Sequence, residues 1–207
     1  PLPGDFDTEG AIEYAVAEAT SDPSRPFFLY LHLLRPHTPY APPAPFAGRF
    51  GTEPKDRALG ATESLLALDQ AGPPFEPTDV DRITALYDEN LAYADALFGV
   101  VVDAIEGRGF GDDTVIVLTS DHGDAFAEHG RLLHSTQLYD AMVHVPLVVR
   151  MPGQVGTVVD TPIQLADVGR GLRRVVRGDA PGILARLGEE RDPAEPLYSC
   201  LLYTSPS

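Results

Sequence analysis

The feature that most constrains the fold is one long amphipathic stretch lying between two apolar runs. From Thr78 onward, Val80, Ile83, Tyr87, Leu91, Ala94, Phe98, Val101 and Ile105 recur at helical spacing, with acids between them. Thr78 reads as the N-cap, Asp79 and Asp81 fall in the first turn, and Gly107 and Gly109 close the helix. Such a helix needs an apolar surface to lie on. The runs 27–34 and 114–119 have the continuous hydrophobicity of strands buried on both faces, and 145–151 reads as a further strand. Shorter helices are expected over 9–20, 62–70 and 138–142. Helix and strand thus alternate, which predicts an α/β domain with a mostly parallel sheet. From Gly169 the periodicity loosens into Arg- and Gly-rich sequence.

Charge narrows the class of partner. The 207 residues carry a formal net charge of −16, with a single lysine, Lys55. That balance argues against nucleic acid or an anionic membrane, both of which need clustered bases. No apolar run reaches the length of a membrane span. Cys200 is the only cysteine, so a disulfide framework and a cysteine-based zinc site are excluded. The chain opens on Pro-Leu-Pro-Gly, without Met or a leader, and is expected to start inside a domain.

In open α/β sheets, ligands bind beyond the carboxyl ends of the strands. The run 27–34 ends in Arg35-Pro36-His37-Thr38-Pro39-Tyr40, followed by a proline-rich stretch to residue 60. A long loop of this kind is usually functional. The run 114–119 ends in Ser120-Asp121-His122-Gly123, inside "TSDHGDAFAEHGRLLHS", which holds three of the six histidines. Were both runs parallel members of one sheet, His37, Asp121 and His122 would share an edge and converge on one cavity.

A carboxylate and an imidazole on adjacent residues suit a divalent cation. The same pair would serve equally as a helix cap and a backbone-bonded histidine. His37 sits between two prolines, a restricted backbone that aims a side chain, or simply a rigid loop. His129 lies seven residues from His122, which is not the zinc-protease spacing, and reads as structural. His32 and His144 read as core histidines, and His134 as a residue before a helix start at Ser135.

Three segments in order, "FFLYLHLLRPHTPY", "YDENLAYADALFGVVVDAIEGRGFGDDTVIVLTSDHGDAFAEHG" and "YDAMVHVPLVVRMPG", resemble the sulfatases of the alkaline-phosphatase superfamily over roughly residues 10–170. The resemblance implies an alkaline-phosphatase-like three-layer sandwich around a mostly parallel sheet, incomplete at the N-terminus. It implies metal ligation by Asp121 and His122, with calcium the first expectation and manganese or zinc the alternatives. It implies that His37 contacts the sulfate and assists the leaving group, and that His134, or less directly His129, touches the same anion.

Two family features are missing from this sequence: a pair of metal-binding aspartates and a Cys- or Ser-x-Pro-x-Arg nucleophile motif. Cys200 is followed by Leu-Leu-Tyr and is not that nucleophile. Residues 1–199 therefore read as part of a catalytic domain, expected by itself to be inert and to bind metal weakly. Residues 200–207 read as a non-native tail, expected to be unpacked. The function implied is hydrolysis of a small-molecule or carbohydrate sulfate ester. The alternatives are phosphoryl chemistry on the same scaffold (a phosphodiesterase, phosphonate hydrolase or phosphoglycerol transferase) and a non-catalytic binding domain. Relatives of this kind are often exported; these residues leave the location open, with a periplasmic or secreted one expected if a preceding segment carries a signal peptide.

Overall fold

A computed structural model describes residues 7–134, 137–160 and 162–178. Among them lie five α-helices and four short strands: α1 (Thr8–Ala19), α2 (Thr62–Ala71), α3 (Pro77–Gly107), β1 (Ile116–Thr119), β2 (Ala125–Phe126), β3 (Leu132–Leu133), α4 (Asp140–Val143), β4 (Leu147–Arg150) and α5 (Leu165–Val176). The chain is α/β and divides into two compact units. One takes in the residues up to Thr114 together with Ala125–Leu133, and the other Val115–Asp124 with the described residues from His134 onward. No described helix is long and apolar enough to cross a membrane.

In the first unit, α1 starts on Asp7, whose carboxylate accepts the Gly10 N–H at 2.8 Å and satisfies one orphan donor. α3 begins two residues earlier than a Thr78 cap predicts. Glu76 is its N-cap and Pro77 its first residue, where proline's missing N–H costs nothing. α1 packs against α3, and Ile12, Val16, Leu97, Val101 and Ile105 are buried. A second core joins Tyr40 of the loop, Leu65 of α2, Ile83 and Leu86 of α3, and Leu132 and Leu133 of β3. Each such side chain contributes on the order of 2 kcal/mol through burial.

The inner stripe of α3 departs from the apolar reading at its middle. Leu91, expected inside, is half exposed, and Glu89 and Asn90 are buried instead. A buried carboxylate is costly unless it is bonded. Glu89 Oε1 accepts from Thr52 Oγ1 at 2.7 Å and from the Phe50 N–H at 3.2 Å, so it secures the proline-rich loop.

The strand expected over 27–34 is corrected. Among the described residues no strand pairs with it, and its residues alternate between half-covered and exposed. Phe28, Tyr30 and Leu34 are 72, 75 and 73 % exposed. The period of two survives, but burial on both faces does not, because a strand is completed only by its neighbours. His32 falls on the exposed side and is not a core histidine.

In the second unit, β1 and β4 pair antiparallel, from Ile116 opposite Arg150 to Thr119 opposite Leu147. β2 and β3 of the first unit are also antiparallel. The mostly parallel sheet is therefore not formed among the described residues. A parallel pair needs a crossover, usually helical, and the segment joining β1 to β4 offers only the four residues of α4. The loosening expected from Gly169 is likewise corrected. α5 runs through it, opened by Gln164 N donating to the Asp167 carboxylate at 3.1 Å and braced by an Asp167–Arg170 pair. His144 is exposed rather than in a core. The expectations for Ser135 and for the tail 200–207 lie outside the described residues.

Candidate metal and anion site

Beyond β1 the chain is shaped by its own short bonds. Ser120 Oγ donates to the His122 carbonyl at 2.7 Å, and the Asp121 carboxylate accepts the His122 N–H at 3.1 Å. Gly123 N donates to the Met142 carbonyl at 2.9 Å. A Cβ on Gly123 would collide with the carbonyl oxygen of Ala141, so this close approach of backbone to backbone requires glycine.

These turns fix the His122 ring. Its Nδ1 lies 3.0 Å from the Gly123 carbonyl, which can only accept. Nδ1 therefore carries the hydrogen, and Nε2 is the nitrogen with a lone pair to offer. Asp124 and His134 stand one residue outside the paired positions Ala125 and Leu133, so the reach of the chain makes them neighbours despite ten residues of separation. His134 Nδ1 donates to Asp124 Oδ1 at 2.7 Å. The Asp124 side chain is 6 % exposed and that of His134 33 %. Hydrogen bonding to Asp124 pushes the His134 pKa up, the charges of Asp124 and Asp121 add to this, and partial burial opposes it.

The His122 and His134 rings lie 3.9 Å apart, tilted by 32°. His122, Asp124 and His134 each bring one ligand atom to within 4.8 Å of the others. The donor set fits a divalent metal. Two imidazoles and one carboxylate suit an ion of the first transition row or zinc, and a histidine whose Nδ1–H is held by a carboxylate is a recurrent ligand arrangement.

The sequence singled out His122 as a metal ligand and His134 as an anion contact; Asp124 went unremarked, because its partner lies at no local spacing. Asp121 is outside the trio. Its side chain is 79 % exposed, with Oδ1 3.9 Å from His122 Nε2. His129 is exposed, at a left-handed φ of 57°. His37 belongs to the other unit. There it is an exposed loop residue whose N–H donates to the Leu34 carbonyl at 3.0 Å and whose Nδ1 lies 2.8 Å from the Thr38 carbonyl.

An α/β chain with a histidine–aspartate cluster directly after an apolar strand has the makings of a metal-assisted hydrolase. The sulfatase family model matches residues 5–175, and the chain belongs to the sulfatase family. Arylsulfatase K of Gallus gallus is 32% identical over 170 residues, which cover 70% of this chain and 31% of that protein. Iduronate 2-sulfatase of Homo sapiens is 29% identical over 175 residues, covering 74% and 31%. Among solved structures, the phosphonate monoester hydrolase SpPMH from Silicibacter pomeroyi superposes with a TM-score of 0.62 at 25% identity, covering 89% of this chain and 38% of that one. The chain spans about a third of the length of the curated relatives it matches.

Proposed function

We propose that this chain is part of a metal-dependent hydrolase that cleaves sulfate monoesters. The observation that carries the reading is the His122–Asp124–His134 cluster, set just after β1 in a chain matched by the sulfatase model. His122 holds the metal, with Asp124 and the exposed Asp121 carboxylate as oxygen donors. When bound, the metal supplies Lewis acidity toward sulfuryl oxygens. Of calcium, manganese and zinc, the two imidazoles favour manganese or zinc, since calcium prefers oxygen. His134, its Nδ1–H held by Asp124, offers Nε2 as the second imidazole donor and stands where the ester's anion meets the metal. His37 gives a proton to the leaving alcohol. The alkaline-phosphatase-like sandwich around a parallel sheet is the architecture we propose for the complete domain.

A second reading is favoured by the likeness to a phosphonate monoester hydrolase and by histidine at position 122. Sulfate, phosphate diester and phosphonate share a tetrahedral centre, and fold alone does not choose between them. The test is turnover of 4-nitrophenyl sulfate, bis-4-nitrophenyl phosphate and a phenylphosphonate ester by the metal-loaded full-length protein that contains this chain, with its sequence outside these residues read alongside. The sulfate reading expects a Cys- or Ser-x-Pro-x-Arg motif there and a preference for the sulfate ester. Preference for the phosphonate would replace it by the second reading, and metal binding by the full-length protein without any turnover would make it a binding protein.

A further inference from the structure

The loop that carries His37 belongs to no helix or strand, yet two side chains fix its backbone at several points. Asn90 of α3 is fully buried. Its Nδ2 lies 3.0 Å from the Pro36 carbonyl, 3.2 Å from that of Pro39 and 3.3 Å from that of His37. Its Oδ1 accepts from Arg35 Nη1 at 3.0 Å. The same Arg35 nitrogen reaches the Pro39 carbonyl at 2.8 Å, and Nη2 reaches that of Ala41 at 3.4 Å. Two prolines in this short run lack N–H groups, so no regular ladder could satisfy these acceptors, and side chains must. An inward position on an amphipathic helix ordinarily takes an apolar residue. A buried amide is tolerated only when fully bonded, and here its whole capacity is directed at one loop and the arginine that braces it.

We propose that Asn90, braced by Arg35, is a positioning residue for His37. It clamps the backbone on both sides of the histidine so that the imidazole is presented in one orientation. The ring is set by its own Nδ1 contact with the Thr38 carbonyl, and Thr38 is held through its hydroxyl by Thr62 at 3.1 Å. Nε2 is then the nitrogen that meets a substrate. The proposal rests on the reading of His37 as proton donor to the leaving group.

The discriminating variant is Asn90→Asp. It keeps size, shape and the acceptor for Arg35, but turns both donors into acceptors facing three carbonyls. Hydrogen exchange at the His37 and Tyr40 amides should accelerate by about tenfold or more, while amides near Leu97 and Val101 keep their protection. With the metal-loaded full-length protein that contains this chain and the ester it hydrolyses, kcat should fall by about tenfold or more with KM within roughly threefold. In a His37→Ala background the same change should cost little further, because the two residues act as one unit. Unchanged exchange in Asn90→Asp would overturn the clamp. A full additional loss of kcat on top of His37→Ala would overturn the positioning role, since Asn90 would then serve something else. Unaltered turnover in His37→Ala alone would overturn the reading of His37, and the role proposed for Asn90 with it. Should Asn90→Asp fail to fold, Arg35→Lys carries the same test, because it keeps the charge and loses the two-pronged reach.

Discussion

Arg131, on the residue before β3, grips Asp69 of α2 with two nitrogens along one edge of its guanidinium. Nε donates to Oδ1 at 2.9 Å and Nη2 to Oδ2 at 2.5 Å, while the Leu132 N–H donates to Oδ1 at 2.8 Å. The Asp69 side chain is only 10 % exposed. The fork geometry is the strong form of such a pair, and the backbone bond ties it to the first rung of the hairpin. The Arg131 bond holds the Asp69 carboxyl below the ordinary aspartate range, against the opposing effect of burial.

Asp69→Ala should therefore destabilise the first unit by about 2 kcal/mol, since it leaves a buried N–H and an unpartnered guanidinium. The pH dependence has a definite sign. A depressed carboxyl stabilises the fold above its unfolded pKa, near 3.9, and the contribution is lost as pH falls through the lower folded value. Urea melts between pH 7 and pH 2.5 should show an acid-side loss that Asp69→Asn flattens. Parallel curves for the two proteins would show that the pair contributes nothing to acid stability.

Gly123 and Gly99 should respond to alanine in opposite directions. A Cβ at 123 meets the backbone oxygen of Ala141, which no side-chain rotation relieves. Gly123→Ala should cost about 1–3 kcal/mol by forcing the turn after β1 open. It should also weaken metal binding, because the carbonyl that orients His122 moves with it. Gly99 lies inside α3 with nothing near its missing Cβ. Gly99→Ala should stabilise by roughly 0.5–1 kcal/mol through helix propensity. Thermal melts of both variants decide the matter, and destabilisation at Gly99 would mean that a neighbour occupies that face.

The long helix was legible from its period because an amphipathic stripe is a property of the chain alone. Its inner face was misread at Leu91, since Glu89 and Asn90 displace apolar side chains wherever a neighbouring loop needs its carbonyls and amides bonded. Nothing in the local sequence announces a loop fifty residues away. The histidine-rich stretch drew attention for its residue types, and His122 stood out by its place after a strand. Asp124 did not, because its link to His134 depends on the hairpin of Ala125–Leu133, whose two-residue strands are too short to leave a pattern. Strand pairing fared worst. An apolar run says that a segment can be a strand, but direction and partner are decided by distant segments. α5 was recoverable from its Gln164–Asp167 cap, a start signal that outweighs a ragged apolar period.

The alternation at 27–34 leads to a prediction about solution behaviour. Phe28, Tyr30 and Leu34 form a row of exposed apolar side chains on one side of an unladdered segment. Such a row promotes association between chains. Phe28→Thr with Leu34→Thr should raise the soluble yield and shift light scattering toward monomer, with the melting temperature of the first unit unchanged within a few degrees. A lowered melting temperature would mean that these side chains are packed in solution.

The metal reading makes the sharpest demand on the second unit. Two imidazoles and one carboxylate already lie within 4.8 Å of each other, and the Nδ1 hydrogen of each ring is committed to an oxygen, so little reorganisation is needed to accept an ion. Calorimetric titration should show manganese or zinc binding more tightly than calcium, because imidazole is a poor ligand for a hard cation that seeks six to eight oxygens. His134→Ala and Asp124→Asn should each weaken transition-metal binding by about 10–100-fold. The first removes a donor, and the second removes the carboxylate charge and leaves only a weaker neutral acceptor to orient His134. Asp121→Asn should weaken it less, since that carboxylate stands exposed and outside the trio. His129→Ala serves as the control and should change nothing. Calcium binding tighter than zinc, with equal sensitivity to Asp121 and none to His134, would place the ion on Asp121 and His122 alone and remove His134 from the metal's coordination.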